Sequence, residues 1–315
     1  MRYAIYLLLI FILSLEILTR IFMPEAVSVL IDDERSLAYE HDPLLGWFPK
    51  KGDRRDFTGS RKIEVAHNAR GFRDKELTVK TRPRILFLGD SFVWGYDVNR
   101  EERFTERLQE RMPEFEILNG GISGYGTDQE FLLLQREFKS IQPDLVFLLF
   151  SANDRRDNSS PVAYGLAKPF FVPSPMGGLQ LGGTPVPKNT VYYFKKRALF
   201  LKKSVFLNLI LLIFEKGKNG QLADVTEDLV LEAERYLKKR GKNLIVGFVD
   251  SDSGLQRFCR EQGILFLDLS GIDQRYRFPG HGKHWTPEGH REVSDKIYEY
   301  LIGRDSLLSS ARMRK

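Results

Sequence analysis

Short apolar runs alternate with amphipathic stretches over most of the chain after residue 84. Strands that are covered on both faces read as short, mainly apolar runs, and the strand candidates of this kind lie at residues 85–88, 116–118, 145–150, 244–249 and 264–267. Apolar positions at helical spacing predict helices at residues 102–111, 128–140, 224–240, 255–261 and 287–301. This alternation predicts an α/β fold, with a central parallel sheet and helices on both of its faces.

A long insertion, at residues 155–222, separates the third and fourth predicted strands. Two apolar triplets at 170–172 and 179–181 flank a turn-forming stretch and predict a small β-hairpin. Residues 195–203 and 204–214 read as helices. The second is strongly apolar but too short to cross a bilayer, which takes about 20 residues. A helix that faces the core is the favoured interpretation, and a helix that lies on a lipid surface is the alternative.

The amino terminus is a candidate membrane segment. An apolar run at residues 3–15 continues to Met23, interrupted only by Glu16 and Arg20. Read to Met23, the segment is long enough to cross a bilayer. The two charged residues are four apart on a helix and can form an ion pair, which lowers the cost of burying them. No small-residue cleavage site follows closely, so we expect an uncleaved anchor rather than a cleaved signal peptide, with the bulk of the chain exported.

Changes in composition divide the chain into four parts. Residues 1–23 form the anchor or signal, and residues 24–83 lack strong periodicity and read as a connector with an irregular extension. Residues 84–305 form the α/β domain with its insertion, and residues 306–315 form a basic tail.

The chain carries a formal net charge of +6. Its basic clusters read as solvated faces, and no nucleic-acid-binding motif accompanies them, so we expect no nucleic-acid partner. Cys259 is the one cysteine of the sequence, which excludes an intrachain disulfide. A chain without disulfides does not distinguish an exported from a cytoplasmic protein.

The first candidate functional residues are Gly89-Asp90-Ser91, directly after the first predicted strand. A hydroxyl at the carboxyl end of such a strand stands where open α/β sheets bind ligands. Three distant segments carry companion residues: 119–127 (NGGISGYGT), 151–154 (SAND) and 281–290 (HGKHWTPEGH). The first two follow the next two strands, and the third leads into the last helix.

These segments together contain the parts of a nucleophilic site. Ser91 is the candidate nucleophile and His284 the candidate general base, because a serine hydroxyl attacks well only when a base takes its proton. The candidate oxyanion donors are the backbone N–H groups of Ser91 and Gly124 and the side-chain amide of Asn153. The plainer alternatives are a helix cap for Ser91, turn chemistry for Gly124 and an ordinary loop residue for Asn153.

With these four segments the chain resembles the SGNH family, also called GDSL hydrolases. Ser91, Gly124, Asn153 and His284 stand, in that order, in segments similar to the family's four blocks. Residues 68–74 (NARGFRD) and 168–171 (KPFF) also resemble segments of membrane-anchored bacterial members. The resemblance implies a three-layer, flavodoxin-like α/β/α sandwich that needs no metal or organic cofactor. It also implies an esterase, or an acyltransferase that acts on a cell-envelope glycan.

One position departs from the family pattern. Members usually place an aspartate three residues before the catalytic histidine, and His281 stands there in this chain. Loss of the corresponding carboxylate charge in a serine protease lowers turnover on the order of 10⁴-fold. Several alternatives follow: His281 itself takes part in catalysis, a backbone carbonyl orients His284, or the site is weakened or inactive. Another carboxylate can also reach His284, and the candidates are Asp250, Asp252 and Asp268.

The sequence therefore predicts a membrane-anchored serine esterase that deacylates an O-acylated saccharide or another small ester through an acyl-enzyme. Two alternatives remain: an O-acyltransferase for envelope glycans, with a membrane protein as possible partner, and a non-catalytic glycan-binding or assembly subunit. A metal site at His281, His284 and His290 is the rival chemical interpretation. It leaves Ser91 and Asn153 without a role.

Overall fold

The computed structural model describes residues 2–22, 39–164, 166–188, 204–206, 221–280, 282–304 and 307–308. The strands, in chain order, are β1 (Tyr39–Asp42), β2 (Gly46–Pro49), β3 (Arg54–Thr58), β4 (Lys62–Ala66), β5 (Arg84–Leu88), β6 (Glu116–Asn119), β7 (Leu145–Phe150), β8 (Val162–Ala163), β9 (Leu166–Ala167), β10 (Phe170–Pro173), β11 (Leu179–Gly182), β12 (Asn243–Phe248) and β13 (Leu265–Asp268). The α-helices are α1 (Arg2–Phe22), α2 (Ser91–Trp94), α3 (Phe104–Arg111), α4 (Thr127–Ile141), α5 (Asn153–Asn158), α6 (Thr226–Lys238), α7 (Ser253–Glu261) and α8 (Pro287–Ile302). Short 3₁₀ turns lie at Arg100–Glu102 and Gln274–Tyr276.

The predicted central sheet is confirmed. Its strand order is β6-β5-β7-β12-β13, and every neighbouring pair is parallel. Numbered by their sequence within this sheet, the strands run 2-1-3-4-5, which is the flavodoxin-like order. The order reverses between β5 and β7, and ligands of such sheets bind at the carboxyl ends of the strands on either side of that point.

Two apolar cores, one on each face of the sheet, complete an α/β/α sandwich. Helices α4, α6 and α7 pack on one face, against Leu86 and Leu148 among others. Helices α3 and α8 pack on the other face, where Val293, Ile297 and Leu301 form the inner stripe of α8. Alternate residues of each strand enter opposite cores because strand side chains point to opposite faces, so the strands are continuously apolar.

The extension before β5 is more regular than the sequence indicates. The part that the structure describes contains two antiparallel hairpins, β1–β2 and β3–β4. In the second hairpin only Phe57, Ile63 and Val65 are buried apolar residues, and they form a small core with Trp94 and Tyr96 of the main domain. In β4 charged and apolar residues alternate, a period-two signal that the prediction of an irregular extension overlooked, whereas β3 has only one buried apolar residue.

The insertion shows the predicted hairpin, which β10 and β11 form. A second, shorter hairpin, β8–β9, precedes it. The predicted helix at 195–203 and most of the predicted helix at 204–214 lie outside the described residues. The domain boundaries drawn above stay predictions.

Helix α1 is the one element, within the part of the chain that the structure describes, long and apolar enough to cross a membrane. It has 21 residues with a mean hydropathy of 2.2, and its side chains are largely exposed. Glu16 and Arg20 form the expected ion pair, with 2.8 Å between nitrogen and oxygen. The Glu16 carboxylate also accepts a hydrogen bond from Ser204 Oγ (2.8 Å), so the insertion contacts this helix.

Candidate active site

Ser91 begins the short helix α2, directly beyond the carboxyl end of β5. Asp90 caps this helix, and its carboxylate accepts a hydrogen bond from Phe92 N at 2.9 Å. The tight turn also needs Gly89, since a β-carbon there would lie 2.4 Å from the Val93 side chain. Ser91 is therefore fixed at the edge where the strand order of the sheet reverses.

The structure brings His284 to Ser91, 193 residues away in sequence. His284 Nε2 lies 2.7 Å from Ser91 Oγ, which is hydrogen-bonding distance. The histidine sits in the loop before α8, a helix that Thr286 caps and that begins at Pro287. A loop anchored by a capped helix holds the imidazole against the serine. This is the geometry required between a nucleophile and its base.

The imidazole of His284 lies in an aromatic enclosure. Tyr96 stacks on it, with ring centroids 4.3 Å apart and an interplanar angle of 25°. Phe92 lies on it at 5.1 Å. The side chain of His284 is only 6% exposed, so these rings restrict both its rotation and its access to water.

The carboxylate nearest the second ring nitrogen is one that sequence reasoning missed. Asp97 Oδ2 lies 3.7 Å from His284 Nδ1. Asp97 is six residues after Ser91, whereas the carboxylates suggested from sequence lie at or shortly after the ends of β12 and β13. The chain reverses after α2, where Gly95 adopts a positive φ of 83° and Tyr96 N donates to Ser91 O at 3.0 Å. This reversal brings Asp97 close to the histidine, and no motif in the sequence indicates the reversal.

The three carboxylates suggested from sequence contact other groups, and the carboxylate beside His284 is Asp97 instead. Asp250 pairs with Arg277, Asp252 pairs with Arg155 and caps α7, and Asp268 accepts from Ser270 N. His281, the residue in the family's aspartate position, lies outside the described residues.

The predicted oxyanion donors follow the strands next to β5. Gly124 lies in the buried loop after β6, with a φ of 84°, and the ring of Tyr164 packs over it. Asn153 begins α5, after β7, and its amide approaches the carboxylates of Asp154 (3.4 Å) and Asp157 (3.3 Å). An amide has two N–H bonds and both have acceptors here, so Asn153 can donate to an oxyanion only by giving up one of these long contacts. Their role in holding an oxyanion stays a prediction.

Buried acids brace the edge of the sheet beneath these residues. Asp90 accepts a hydrogen bond from Ser151 Oγ at 2.8 Å, and Asp154 accepts one from Ser151 N at 3.1 Å. Burial raises the pKa of Asp90, and burial together with the neighbouring Asp90 raises the pKa of Asp154 well above its usual range. These carboxyls link the end of β5 to the end of β7, which fixes the positions of Ser91 and Asn153 relative to each other.

The remaining histidine and tryptophans of the motif segments have structural surroundings. His290 is buried and stacks on Phe104, whose backbone N–H donates to His290 Nδ1 at 3.3 Å. Burial lowers the pKa of His290 well below its usual value, which keeps the ring neutral. Trp94 and Trp285 are buried and pack in the core. His284 thus contacts Ser91, whereas His290 contacts Phe104. The described residues contain no group of three or more potential metal ligands.

Comparisons with known proteins agree with the resemblance seen in the sequence. Residues 87–182 match the family model described as the GDSL-like lipase/acylhydrolase family. No curated protein matches the chain significantly.

The solved structures that the chain matches are distant in sequence. A member of the lipolytic protein G-D-S-L family from Veillonella parvula is 15% identical, with 69% of this chain and 96% of that one covered and a TM-score of 0.40. The psychrotrophic esterase EstA from Pseudoalteromonas sp. is 12% identical, with 70% and 97% covered and a TM-score of 0.43. A family 3 carbohydrate esterase from Clostridium thermocellum is 15% identical, with 73% and 100% covered and a TM-score of 0.40. At these scores the likenesses say nothing of this chain's substrate.

Proposed function

We propose that this protein is a serine hydrolase that cleaves ester bonds, and the match of residues 87–182 to the GDSL-like lipase/acylhydrolase family model supports the proposal. Ser91 is the nucleophile and His284 is the general base. The observation that carries the proposal is the 2.7 Å contact between Ser91 Oγ and His284 Nε2 at the switch point of the sheet.

The reaction runs through an acyl-enzyme. Ser91 Oγ attacks the ester carbonyl carbon while His284 Nε2 takes the hydroxyl proton, which gives a tetrahedral oxyanion. The oxyanion collapses, the bond to the alcohol oxygen breaks, and His284 returns its proton to the leaving alcohol. Water then attacks the acyl carbon while His284 takes a proton from it, the bond to Ser91 Oγ breaks, and His284 returns the proton to Oγ, which frees Ser91 and releases the carboxylic acid.

The negative charge of the tetrahedral intermediate needs fixed donors. The Ser91 backbone N–H belongs to the first turn of α2, where it has no acceptor within the helix. Gly124 N–H and the Asn153 amide supply the other two donors. A single donor of this kind contributes on the order of 10²- to 10³-fold to turnover.

We infer that the substrate is an O-acylated saccharide or another small ester. The feature that supports a saccharide is Tyr164, which is 46% exposed and stands over Gly124. Tyrosine offers a flat apolar face with a polar edge, which suits the face of a sugar ring. Tyr164 also has a positive φ of 52°, which is costly for a large side chain.

The proposed catalytic function is tested with the full chain purified in detergent. We expect it to hydrolyse an aryl acetate and to react with a fluorophosphonate probe, and we expect Ser91→Ala to abolish both, with a loss on the order of 10³-fold or more. Ser140→Ala, a change of an exposed serine on α4, is the matched control and leaves both unchanged. If the chain shows no Ser91-dependent turnover or labelling, the hydrolase proposal fails and the binding-subunit alternative replaces it.

The same preparation decides between hydrolysis and transfer. With an acetylated oligosaccharide as donor and an unacetylated one as acceptor, a hydrolase releases free acetate, and a transferase produces acetylated acceptor instead. We propose hydrolysis, so transfer as the main outcome would contradict this assignment. An associated membrane protein that co-purifies with the chain would favour the transferase alternative.

We propose that α1 anchors the protein and that the catalytic domain lies on the exported side. The support is the length and apolar character of α1. The chain is expected to stay in the membrane fraction after alkaline extraction, and protease added outside the membrane is expected to degrade the domain. Release by alkali would contradict the anchor, and full protection from the protease would contradict the orientation.

A further inference from the structure

The second nitrogen of His284 faces a carboxylate without yet being hydrogen-bonded to it. Nδ1 is buried and has no hydrogen-bond partner among the described residues. Asp97 Oδ2 lies 3.7 Å away, and the two side chains are 6% and 1% exposed. A small rotation of the imidazole closes this gap, and catalytic hydrogen bonds often shorten when substrate binds.

Asp97 is held in place from the β3–β4 hairpin. The hairpin turn contributes Ser60, whose backbone N–H and hydroxyl donate to the two Asp97 oxygens at 2.6 and 2.9 Å. The preceding Gly59 allows this approach, since a β-carbon there would lie 2.1 Å from Asp97 Oδ1. Asp97 itself has a positive φ of 68°, a conformation that aspartate tolerates better than most residues.

Two further contacts join the extension to the same histidine. Phe57 of β3 packs edge-on against Tyr96 with centroids 4.8 Å apart, and Tyr96 stacks on His284. Arg73, from the segment between β4 and β5, is buried and donates to the carbonyls of Gly95 (2.6 Å) and Val98 (2.8 Å). The turn that carries Asp97 is thus fixed on both sides of it by residues that precede the main domain.

We propose that Asp97, held by Ser60 of the β3–β4 hairpin, is the positioning residue for His284 and does the work of the aspartate that the family places before its histidine. This assignment rests on the proposed hydrolase function. A hydrogen bond from Nδ1–H to Asp97 fixes the proton on Nδ1, which leaves Nε2 bare to accept the proton of Ser91. The buried carboxylate also stabilises the imidazolium that forms during the attack. The proposal assigns no role to His281, which lies outside the described residues.

The other charged and titratable groups near the ring do not take this role. The Asp90 carboxylate is occupied by Phe92 N and Ser151 Oγ. The guanidinium of Arg277 lies over Phe92, 5.4 Å from the centre of its ring, and donates to Val249 O. His290 accepts from Phe104 N.

The first test compares kinetics of full-length variants in detergent. Asp97→Asn keeps the shape of the side chain and one acceptor for Ser60, and we expect kcat to fall on the order of 10³- to 10⁴-fold with KM changed less than about threefold. Ser60→Ala removes one of the two groups that hold Asp97, and we expect a fall of about tenfold. Asp56→Asn, on the exposed face of the same hairpin, is the control and leaves kcat unchanged. His281→Ala is also expected to leave kcat within about threefold of the wild type.

The second test reads the Asp97–His284 hydrogen bond without turnover. Proton NMR of the full chain, with ¹⁵N-labelled histidine, is expected to show a downfield Nδ1–H resonance that is absent in His284→Ala. Asp97→Asn should remove or shift it upfield, while Ser91→Ala and Asp56→Asn should keep it.

The two tests separate the possible failures. If wild-type turnover depends on Ser91 but Asp97→Asn and Ser60→Ala keep full kcat, the assignment of Asp97 is overturned and the hydrolase function stands. If the wild type has no turnover, the hydrolase function fails. If the Nδ1–H resonance of His284 is the same in Asp97→Asn as in the wild type, the positioning role of Asp97 is overturned as well. Should Asp97→Asn not fold, Ser60→Ala decides the question by the same measurements.

Discussion

Asn153 is the one predicted oxyanion donor that is a side chain, so its contribution can be measured by substitution. We expect Asn153→Ala to lower kcat by about 10²- to 10³-fold with little change in KM, because the donor acts on charge that develops only in the transition state. Asn243→Ala, at the amino end of β12 and so at the opposite edge of the sheet, is the control. An unchanged kcat would assign Asn153 to its contacts with Asp154 and Asp157 alone.

Gly282 has a specific steric role beside the catalytic base. It has a positive φ of 81°, and a β-carbon there would lie 2.4 Å from His284 Cε1. We expect Gly282→Ala to displace the imidazole and to lower kcat about 10²-fold, since a displacement of about 1 Å in a reacting group has an effect of this size.

Gly280→Ala is the matched control for that change. Gly280 also has a positive φ, of 112°, but nothing lies within 4 Å of the position of its β-carbon. Both variants carry a backbone cost of about 1 kcal/mol or more, so their melting temperatures should fall by similar amounts. Equal kcat values in the two variants would show that the clash with His284 has no effect.

At the scale of single residues, the sequence identifies those site residues that follow a strand or belong to one of the ordered motifs. Ser91 and His284 are predicted because one follows a buried strand and the other precedes a well-capped helix, and the structure brings them into contact. Asp97 escapes prediction because its position depends on a chain reversal at Gly95 and on a turn at Ser60 from another part of the chain. A contact between two loops cannot be predicted from sequence in this way, because neither loop has a periodic pattern of apolar residues.

At the scale of elements, predictability follows the amount of apolar surface that each element buries. The five sheet strands lie within about one residue of their predicted bounds because each packs apolar side chains against both cores. Strands β3 and β4 bury only three apolar side chains between them, and the sequence showed them as irregular. Those weakly patterned strands nevertheless carry the contacts to Asp97 and Tyr96.

The insertion is attached to the sandwich through a buried ion pair. Lys168, between β9 and β10, contacts Asp128 in the first turn of α4, and neither side chain is exposed. We expect Lys168→Met to lower the free energy of unfolding by about 3–5 kcal/mol, because it leaves a buried carboxylate without its partner.

A double variant checks the reason for that loss. Lys168→Met combined with Asp128→Asn removes both charges, and we expect it to recover part of the stability in chemical unfolding of the two proteins side by side. A double variant less stable than Lys168→Met would contradict the explanation, since the loss would then come from packing and not from an unpaired charge.

At the scale of the whole molecule, the site is assembled from parts that are far apart in sequence. The flavodoxin-like strand order places the ends of β5 and β7 side by side, and α8 returns His284 to the same edge. The extension before β5 then closes over the turn after α2 and braces Asp97. We therefore expect changes in the extension to alter turnover although it lies outside the segment that matches the family model.

The pH dependence of stability should report the buried acids behind the site. Glu130, on α4, is fully buried, and its two carboxylate oxygens have no hydrogen-bond partner among the described residues. Burial, with Asp154 nearby, raises the pKa of Glu130 well above its usual value. In the unfolded chain the same group titrates near about 4.3. Between these two values the folded state holds a proton that the unfolded state has released, so the free energy of unfolding falls as pH rises, by up to about 1.4 kcal/mol per pH unit.

Glu130→Gln removes this titration while keeping the size of the side chain. We expect the melting temperature of the variant, relative to the wild type in the same detergent, to rise steadily from pH 5 to pH 8. Glu110→Gln, on the exposed face of α3, should show a constant difference over the same range. A constant difference for Glu130→Gln would mean that Glu130 is ionised in the folded protein. A group that stabilises its negative charge would then have to lie beside it, and the buried acids behind Ser91 would carry charge in the folded protein.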